Sequence, residues 1–198
     1  MNYDRYRNYS QKDYDNRISD FFMRSQANRV IMPYISGIKD KKILEVGVGY
    51  GFYTRYLLEN NNQVIGLDAN PHLGEHIGIV IVHGYANALK EKFNEKFEYI
   101  ISLFMTEYLS CDELKEFIEQ GIALLDEEGV FLTTVILKKG LGSLYIRLAR
   151  MKGVKKYNYT MKQLVHMVEQ KEKIEVHFIP LNTVLGVPFA VLLEIKKI

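Results

Sequence analysis

Three glycines at alternate positions, Gly47, Gly49 and Gly51, separate an apolar run from a helix-like pattern. The run Lys42-Ile43-Leu44-Glu45-Val46 reads as a β-strand carrying an acidic residue near its end, and Phe52-Tyr53-Thr54-Arg55-Tyr56-Leu57-Leu58-Glu59 reads as a helix. Glycine lets the backbone turn through conformations closed to other residues and lets a ligand approach the main chain. Amides at the start of the next helix then face that ligand. The corner therefore reads as a nucleotide-type binding loop, and its spacing narrows the choice. A dinucleotide fingerprint, G-x-G-x-x-G, would need glycine where Phe52 stands. A phosphate-binding loop would need Gly-Lys-Ser or Gly-Lys-Thr, and neither follows.

A second landmark follows one helix later. Asn62-Gln63-Val64-Ile65-Gly66-Leu67-Asp68-Ala69-Asn70-Pro71 reads as a short strand ending in Asp68. A carboxylate at the C-terminal end of a strand can accept two hydrogen bonds from a ribose diol. Ligands of open α/β sheets bind at this edge, so Glu45 and Asp68 are expected on one rim.

The pattern E-x-G-x-G-x-G, from Glu45 to Gly51 with Asp68 after it, resembles motif I and the following acidic position of the class I S-adenosylmethionine-dependent methyltransferases. The resemblance covers roughly residues 41–198. It implies a Rossmann-like α/β fold: an open, mostly parallel seven-stranded sheet whose last strand runs antiparallel, with helices on both faces and an N-terminal helical arm. It implies S-adenosylmethionine as cofactor, with the glycine turn (Gly47, Gly49, Gly51) beneath the methionine part, Glu45 near its amino group, and Asp68 and Ala69 at the ribose. Ile79-Val80-Ile81-Val82-His83-Gly84-Tyr85-Ala86-Asn87-Ala88-Leu89 is similar to the third strand and the segment that cups adenine, which assigns Tyr85 and Ala86 to the cofactor. The family's usual aspartate is Tyr85 here, which offers a ring face or a hydroxyl in its place. Phe97 to Met105 resembles the fourth strand and the loop where cofactor meets substrate, bringing in Leu103. Where many small-molecule methyltransferases carry paired histidines, this chain has Thr106-Glu107-Tyr108-Leu109.

With 198 residues, 47% hydrophobic and 25% charged, the chain reads as one globular domain over 1–198, an arm and helix over 1–36 and an α/β core over 41–198. No apolar run approaches the roughly 20 residues that span a bilayer, and the polar, Tyr-rich start has no signal core. The single Cys111 excludes an internal disulfide and fits a reducing, cytoplasmic setting. The five histidines show no metal spacing, so no metal site is expected.

Strand and helix patterns alternate from Lys41 onward, which argues for a largely parallel sheet covered on both faces. A helix is expected over Asn16 to Ile35. Ser110-Cys111-Asp112-Glu113 and Thr160-Met161-Lys162-Gln163 are capping boxes that announce two more. Asp126-Glu127-Glu128-Gly129 reads as a turn into a strand over Val130 to Leu137, and Ile174 to Ile179 and Val187 to Ile195 read as paired strands.

Methyl transfer from a sulfonium is an in-line displacement, so alignment dominates and can supply roughly 7–11 kcal/mol of the barrier. A general base adds typically about 10²–10⁴-fold when the acceptor arrives protonated. The candidates beside the reacting methyl are Tyr108 and Glu107, with Tyr6, Tyr9 or Tyr14 arriving from the arm. Between Lys138 and Tyr159 lie Lys138, Lys139, Arg147, Arg150, Lys152, Lys155 and Lys156 with no acidic residue, which reads as a solvated face or as a site for an anionic group. Tyr14, Arg147 and Arg150 are the substrate candidates. The expected function is methyl transfer to a small-molecule acceptor, with three alternatives left open. These are an RNA or a protein methyltransferase using the basic segment, and a non-catalytic S-adenosylmethionine-binding protein.

Overall fold

The computed structural model describes residues 24–169, 173–182 and 186–198. Helix α1 spans Ser25–Gly37, strand β1 Lys42–Val46, helix α2 Phe52–Leu58 and strand β2 Gln63–Asp68. A 3₁₀ turn over Pro71–Ile77 leads to β3, Val80–His83, and a second over Ala86–Ala88 to the short α3, Leu89–Lys92. Then come β4 (Phe97–Ser102), a 3₁₀ turn (Thr106–Tyr108), α4 (Cys111–Leu124), β5 (Leu125–Ile136) and α5 (Gly140–Met151). Helix α6 (Met161–Val168) and strands β6 (Ile174–Asn182) and β7 (Pro188–Lys197) complete the described chain.

The seven strands form one sheet in the order β3-β2-β1-β4-β5-β7-β6. Neighbours from β3 to β5 are parallel, whereas β7 lies antiparallel between β5 and β6. The sheet is therefore mixed, and the strand that runs against the others is β7, the last in the chain. Strand order reverses between β1 and β4. The chain leaves β1 toward β2 and β3, then returns to the other side of β1, which opens a crevice outside the carboxyl ends of these strands.

Period-two alternation divides the core between the two faces of the sheet. Leu44, Ile100, Phe131 and Leu193 pack with Leu114, Phe117 and Ile118 of α4 and Leu164 of α6. Ile43, Ile101, Leu132 and Leu192 pack with Ile31 and Ile35 of α1, Leu57 of α2 and Ile146 of α5. Glu45 thus points toward the side of α2, opposite its neighbours Leu44 and Val46.

Both expected capping boxes form: Ser110 accepts from the Glu113 amide and Thr160 from the Gln163 amide, while each partner side chain reaches back. The turn expected at 126–129 is instead absorbed into β5. Phe97 and Tyr99 of β4 pair with Leu125 and Val130, so the four residues between them loop out as an irregularity, with Glu128 at φ 62°. Of the helix expected over Asn16 to Ile35, the described part runs on to Gly37, and its beginning lies outside the described residues together with Tyr6, Tyr9 and Tyr14.

Candidate active site

Glycine residues carry the turn after β1 because the backbone demands it. Gly47, Gly49 and Gly51 have φ of 81°, 53° and 68°, in the left-handed region. The Gly47 N–H donates to Leu67 O at 2.8 Å, tying the turn to the end of β2. A Cβ on Gly47 would fall 2.6 Å from Cγ of Met105, so only glycine lets the β4 loop close over the turn.

Asp68 joins the two strand ends. Its Oδ2 accepts from the Gly49 N–H at 2.8 Å and its Oδ1 from the Asn70 N–H at 2.7 Å. A carboxylate offers about four lone-pair positions, and with the backbone N–H groups of Gly49, Asn70 and Ala69 bonded to it about one is left for a ligand. Burial pushes its carboxyl above the usual range, opposed by the backbone N–H groups of Gly49, Asn70 and Ala69. Glu45 is 4% exposed and accepts from the Thr54 hydroxyl at 2.6 Å. Burial pushes its carboxyl up to about 8, the Thr54 hydrogen bond pulls the other way, and the Asp68 charge adds to the rise. This rim holds two carboxyls and, in its immediate hydrogen bonds, no cation. It is electrostatically prepared for a positively charged group.

A cleft, partly open to solvent, runs along this rim with a cavity volume of about 120 Å³. Gly47, Asp68, Ala69, Tyr85, Ala86 and Tyr108 line it, which brings six of the sequence candidates to one place. Glu45, Gly49, Gly51 and Leu103 are buried behind that lining and shape it from the second layer. Arg147 and Arg150 lie on the exposed surface of α5, outside the cleft lining. Tyr14 lies outside the described residues.

The loop after β4 forms the remaining wall. Phe104 has φ 55°, a strained value for a bulky residue, and its N–H donates to the Thr134 hydroxyl at 2.6 Å. The Thr106 hydroxyl donates to Thr134 O at 2.5 Å, so β5 clamps both ends of the bend. Held this way, Phe104, Met105, Tyr108 and Leu109 all face the cleft.

Behind Tyr108 sits a polar cluster that the sequence does not announce. Lys156, counted above among solvated or anion-binding cations, is 6% exposed and pairs with Glu107 Oε1 at 3.3 Å. It also donates to the Tyr145 hydroxyl and lies 4.6 Å from the Tyr108 ring centroid. The other oxygen of Glu107 is buried with no hydrogen-bond partner among the described residues. Burial raises the Tyr145 phenol, the Glu107 charge adds to this, and Lys156 opposes it. The segment is anchored by Tyr157 N–H donating to Glu107 O at 2.6 Å and by Tyr159 bridging to Leu137 at the end of β5.

A profile of the methyltransferase domain matches residues 9–176. The chain belongs to this methyltransferase family. Its members are enzymes that take their methyl group from S-adenosylmethionine. No curated protein matches the chain significantly. Among solved structures, a SAM-dependent methyltransferase from Archaeoglobus fulgidus is similar at a TM-score of 0.70 and 16% identity, over 93% of this chain and all (100%) of the other. The 1,6-didemethyltoxoflavin-N1-methyltransferase of Burkholderia thailandensis, with its substrate and S-adenosylhomocysteine bound, is similar at 0.65 and 16%, over 94% and 83%. The magnesium protoporphyrin IX methyltransferase of Synechocystis PCC 6803 with bound SAH is similar at 0.69 and 12%, over 99% and 94%.

In this methyltransferase the residues missed by sequence reading are of two kinds. Asn70, Leu73, Gly84 and Asn87 neighbour predicted positions and are recoverable by extending each motif by a few residues. Phe104 and Met105 fall in the segment assigned by resemblance to the loop where cofactor meets substrate but are not singled out by it, whereas Tyr145 and Lys156 carry no local signal, because their roles arise from a contact between residues 49 positions apart.

Proposed function

We propose that the protein transfers the methyl group of S-adenosylmethionine to a small-molecule acceptor held against Tyr108. The observation that carries this reading is the position of Asp68. It closes the glycine turn with one oxygen and the start of the next loop with the other, at the centre of a cleft lined from both ends.

The residues present fit the cofactor. Asp68 retains an acceptor position for a ribose hydroxyl, and Tyr85, Ala86 and Asn87 offer a ring face and polar groups to an adenine at one end. The Gly47 backbone, which a side chain would obstruct, lies toward the other end, with Glu45 behind it as the carboxylate for an amino group. When bound, S-adenosylmethionine supplies an electrophilic methyl on a sulfonium. Phe104 and Tyr108 present aromatic walls to that region, and such faces add about 0.5–2 kcal/mol of attraction for a cation. Glu107, paired with Lys156 and buried outside the cleft lining, supports the Tyr108 wall from behind and is a positioning residue, not the base its place in the sequence suggested.

Calorimetry with S-adenosylmethionine and its demethylated product, followed by a methyl-release assay over a panel of amines, phenols and carboxylates, tests the reading. Tight cofactor binding with turnover of a panel member supports it. Binding with no turnover on any acceptor class would return the non-catalytic alternative.

A further inference from the structure

Helix α5 carries an unusual outward face. Leu144, Leu148 and Met151, spaced i, i+4 and i+7, are 48%, 49% and 75% exposed. Gly142 and Ile146, on the opposite side, are buried against the sheet. Val187, 40% exposed, lies beside Gly140 and continues the row past the start of the helix. Scattered apolar residues are ordinary on a protein surface, but a row along one helix is not.

Cations flank this row and no acidic residue interrupts it. Arg147, Arg150 and Lys152 are exposed on and just beyond the helix, and Lys138 and Lys139 are exposed at its start. The whole stretch from Lys138 to Tyr159 contains no Asp or Glu. Leucine and methionine in the middle with arginine and lysine at the margins is the arrangement of a helix lying in a lipid–water interface. The apolar row enters the acyl boundary and the cations meet anionic headgroups. A nucleic acid would use the same cations, but it gains nothing from a leucine–methionine row, where stacking aromatics would serve it.

We propose that α5 seats the protein on an anionic lipid bilayer as an interfacial, non-spanning helix. No helix among the described residues is long and apolar enough to cross a membrane, so contact is lateral. The inner side of the same helix carries Tyr145, which reaches Lys156 and Glu107 behind the Tyr108 wall.

The test is co-sedimentation of the full chain with vesicles of phosphatidylcholine alone or with about 30% phosphatidylserine, at low and at about 0.3 M salt. Partitioning is expected to be about tenfold higher on the anionic vesicles and to weaken at high salt. Leu148→Glu with Met151→Glu, and separately Arg147→Glu with Lys152→Glu, should each reduce it about tenfold while the thermal midpoint stays near that of the parent. Equal or absent partitioning on the two vesicle types overturns the proposal. So does binding to a single-stranded RNA oligomer with a steep salt slope that survives Leu148→Glu with Met151→Glu. A concentration-dependent dimer abolished by the same double variant, without vesicle binding, also overturns it and assigns the face to a second copy of the chain.

Discussion

Lys156 and Glu107 form a buried ion pair, Nζ to Oε1 at 3.3 Å, across a separation of 49 residues. The pair joins the 3₁₀ turn after β4 to the segment that follows α5, and it lies directly behind the Tyr108 ring. Two charges are held out of water here, with the Tyr145 hydroxyl as a further partner of the ammonium. Such a pair fixes geometry more surely than it adds stability, because desolvation offsets much of the attraction.

Breaking the pair from one side should be costly. Lys156→Met leaves Glu107 buried without its cation, and a loss of about 3–5 kcal/mol in urea unfolding is expected. The double variant Lys156→Met with Glu107→Gln should recover more than half of that loss. A single-variant cost below about 1 kcal/mol would mean that the pair is effectively solvated and does not organise the acceptor wall.

The carboxyl of Glu45 sets a pH dependence. Its folded value of about 8 lies above its ordinary 4.5, so the folded protein holds a proton there that the unfolded chain releases. The stabilisation is fully present below about pH 4.5 and is lost as pH rises through 8, at up to about 1.4 kcal/mol per pH unit inside that window. Asp68, raised in the same direction by burial, adds to the trend. The urea midpoint should fall between pH 5 and 8 in the ligand-free protein, and Glu45→Gln should flatten the slope. An identical profile in the variant would assign the dependence elsewhere.

Asp68→Ala should weaken cofactor affinity at least about tenfold, or about 1.4 kcal/mol, measured by calorimetry. It removes the acceptor for a ribose hydroxyl and also the partner of the Gly49 and Asn70 amides. Asp68→Asn keeps one acceptor oxygen and should lose less. An unchanged dissociation constant in the alanine variant would remove Asp68 from the ribose site.

Gly47→Ala combines a φ of 81° with a Cβ 2.6 Å from Met105 Cγ. A loss of about 1–3 kcal/mol in stability is expected from the backbone alone. Met105→Ala should not rescue it, because the Cβ of residue 105 stays 2.8 Å from the added methyl and the dihedral is unchanged. Full recovery in the double variant would show that packing, and not backbone strain, is what excludes a side chain at this turn.

Much of the frame is legible in contiguous residues. The turn from Glu45 to Gly51, Asp68 at the end of β2 and the capping boxes at Ser110 and Thr160 are local devices, so a few neighbouring side chains specify each one. The turn read at 126–129 shows the limit of this. Its residues loop out as the sequence suggests, but β4 pairs with Leu125 before them and with Val130 after them, so the segment is an irregularity inside β5 and not a turn that precedes the strand. Arg147 and Arg150 were readable as a pair three apart on a helix, but only tertiary structure decides that Arg147 is turned to solvent while Arg150, one turn beyond the buried Ile146, donates its Nε–H to Lys156 O.

By itself the sequence determined an alternating α/β chain, the corner at Gly47–Gly51 and its acidic partner Asp68, since backbone dihedrals and strand-end carboxylates are properties of short segments. Tertiary structure alone decided which side chains became the acceptor wall. The bend at Phe104 exists because Thr134 holds it from β5, and Lys156 is a buried partner of Glu107 instead of a solvated cation because the segment after α5 folds back onto the 3₁₀ turn. A charge's environment depends on what the distant chain places around it, and that is information no run of lysines contains.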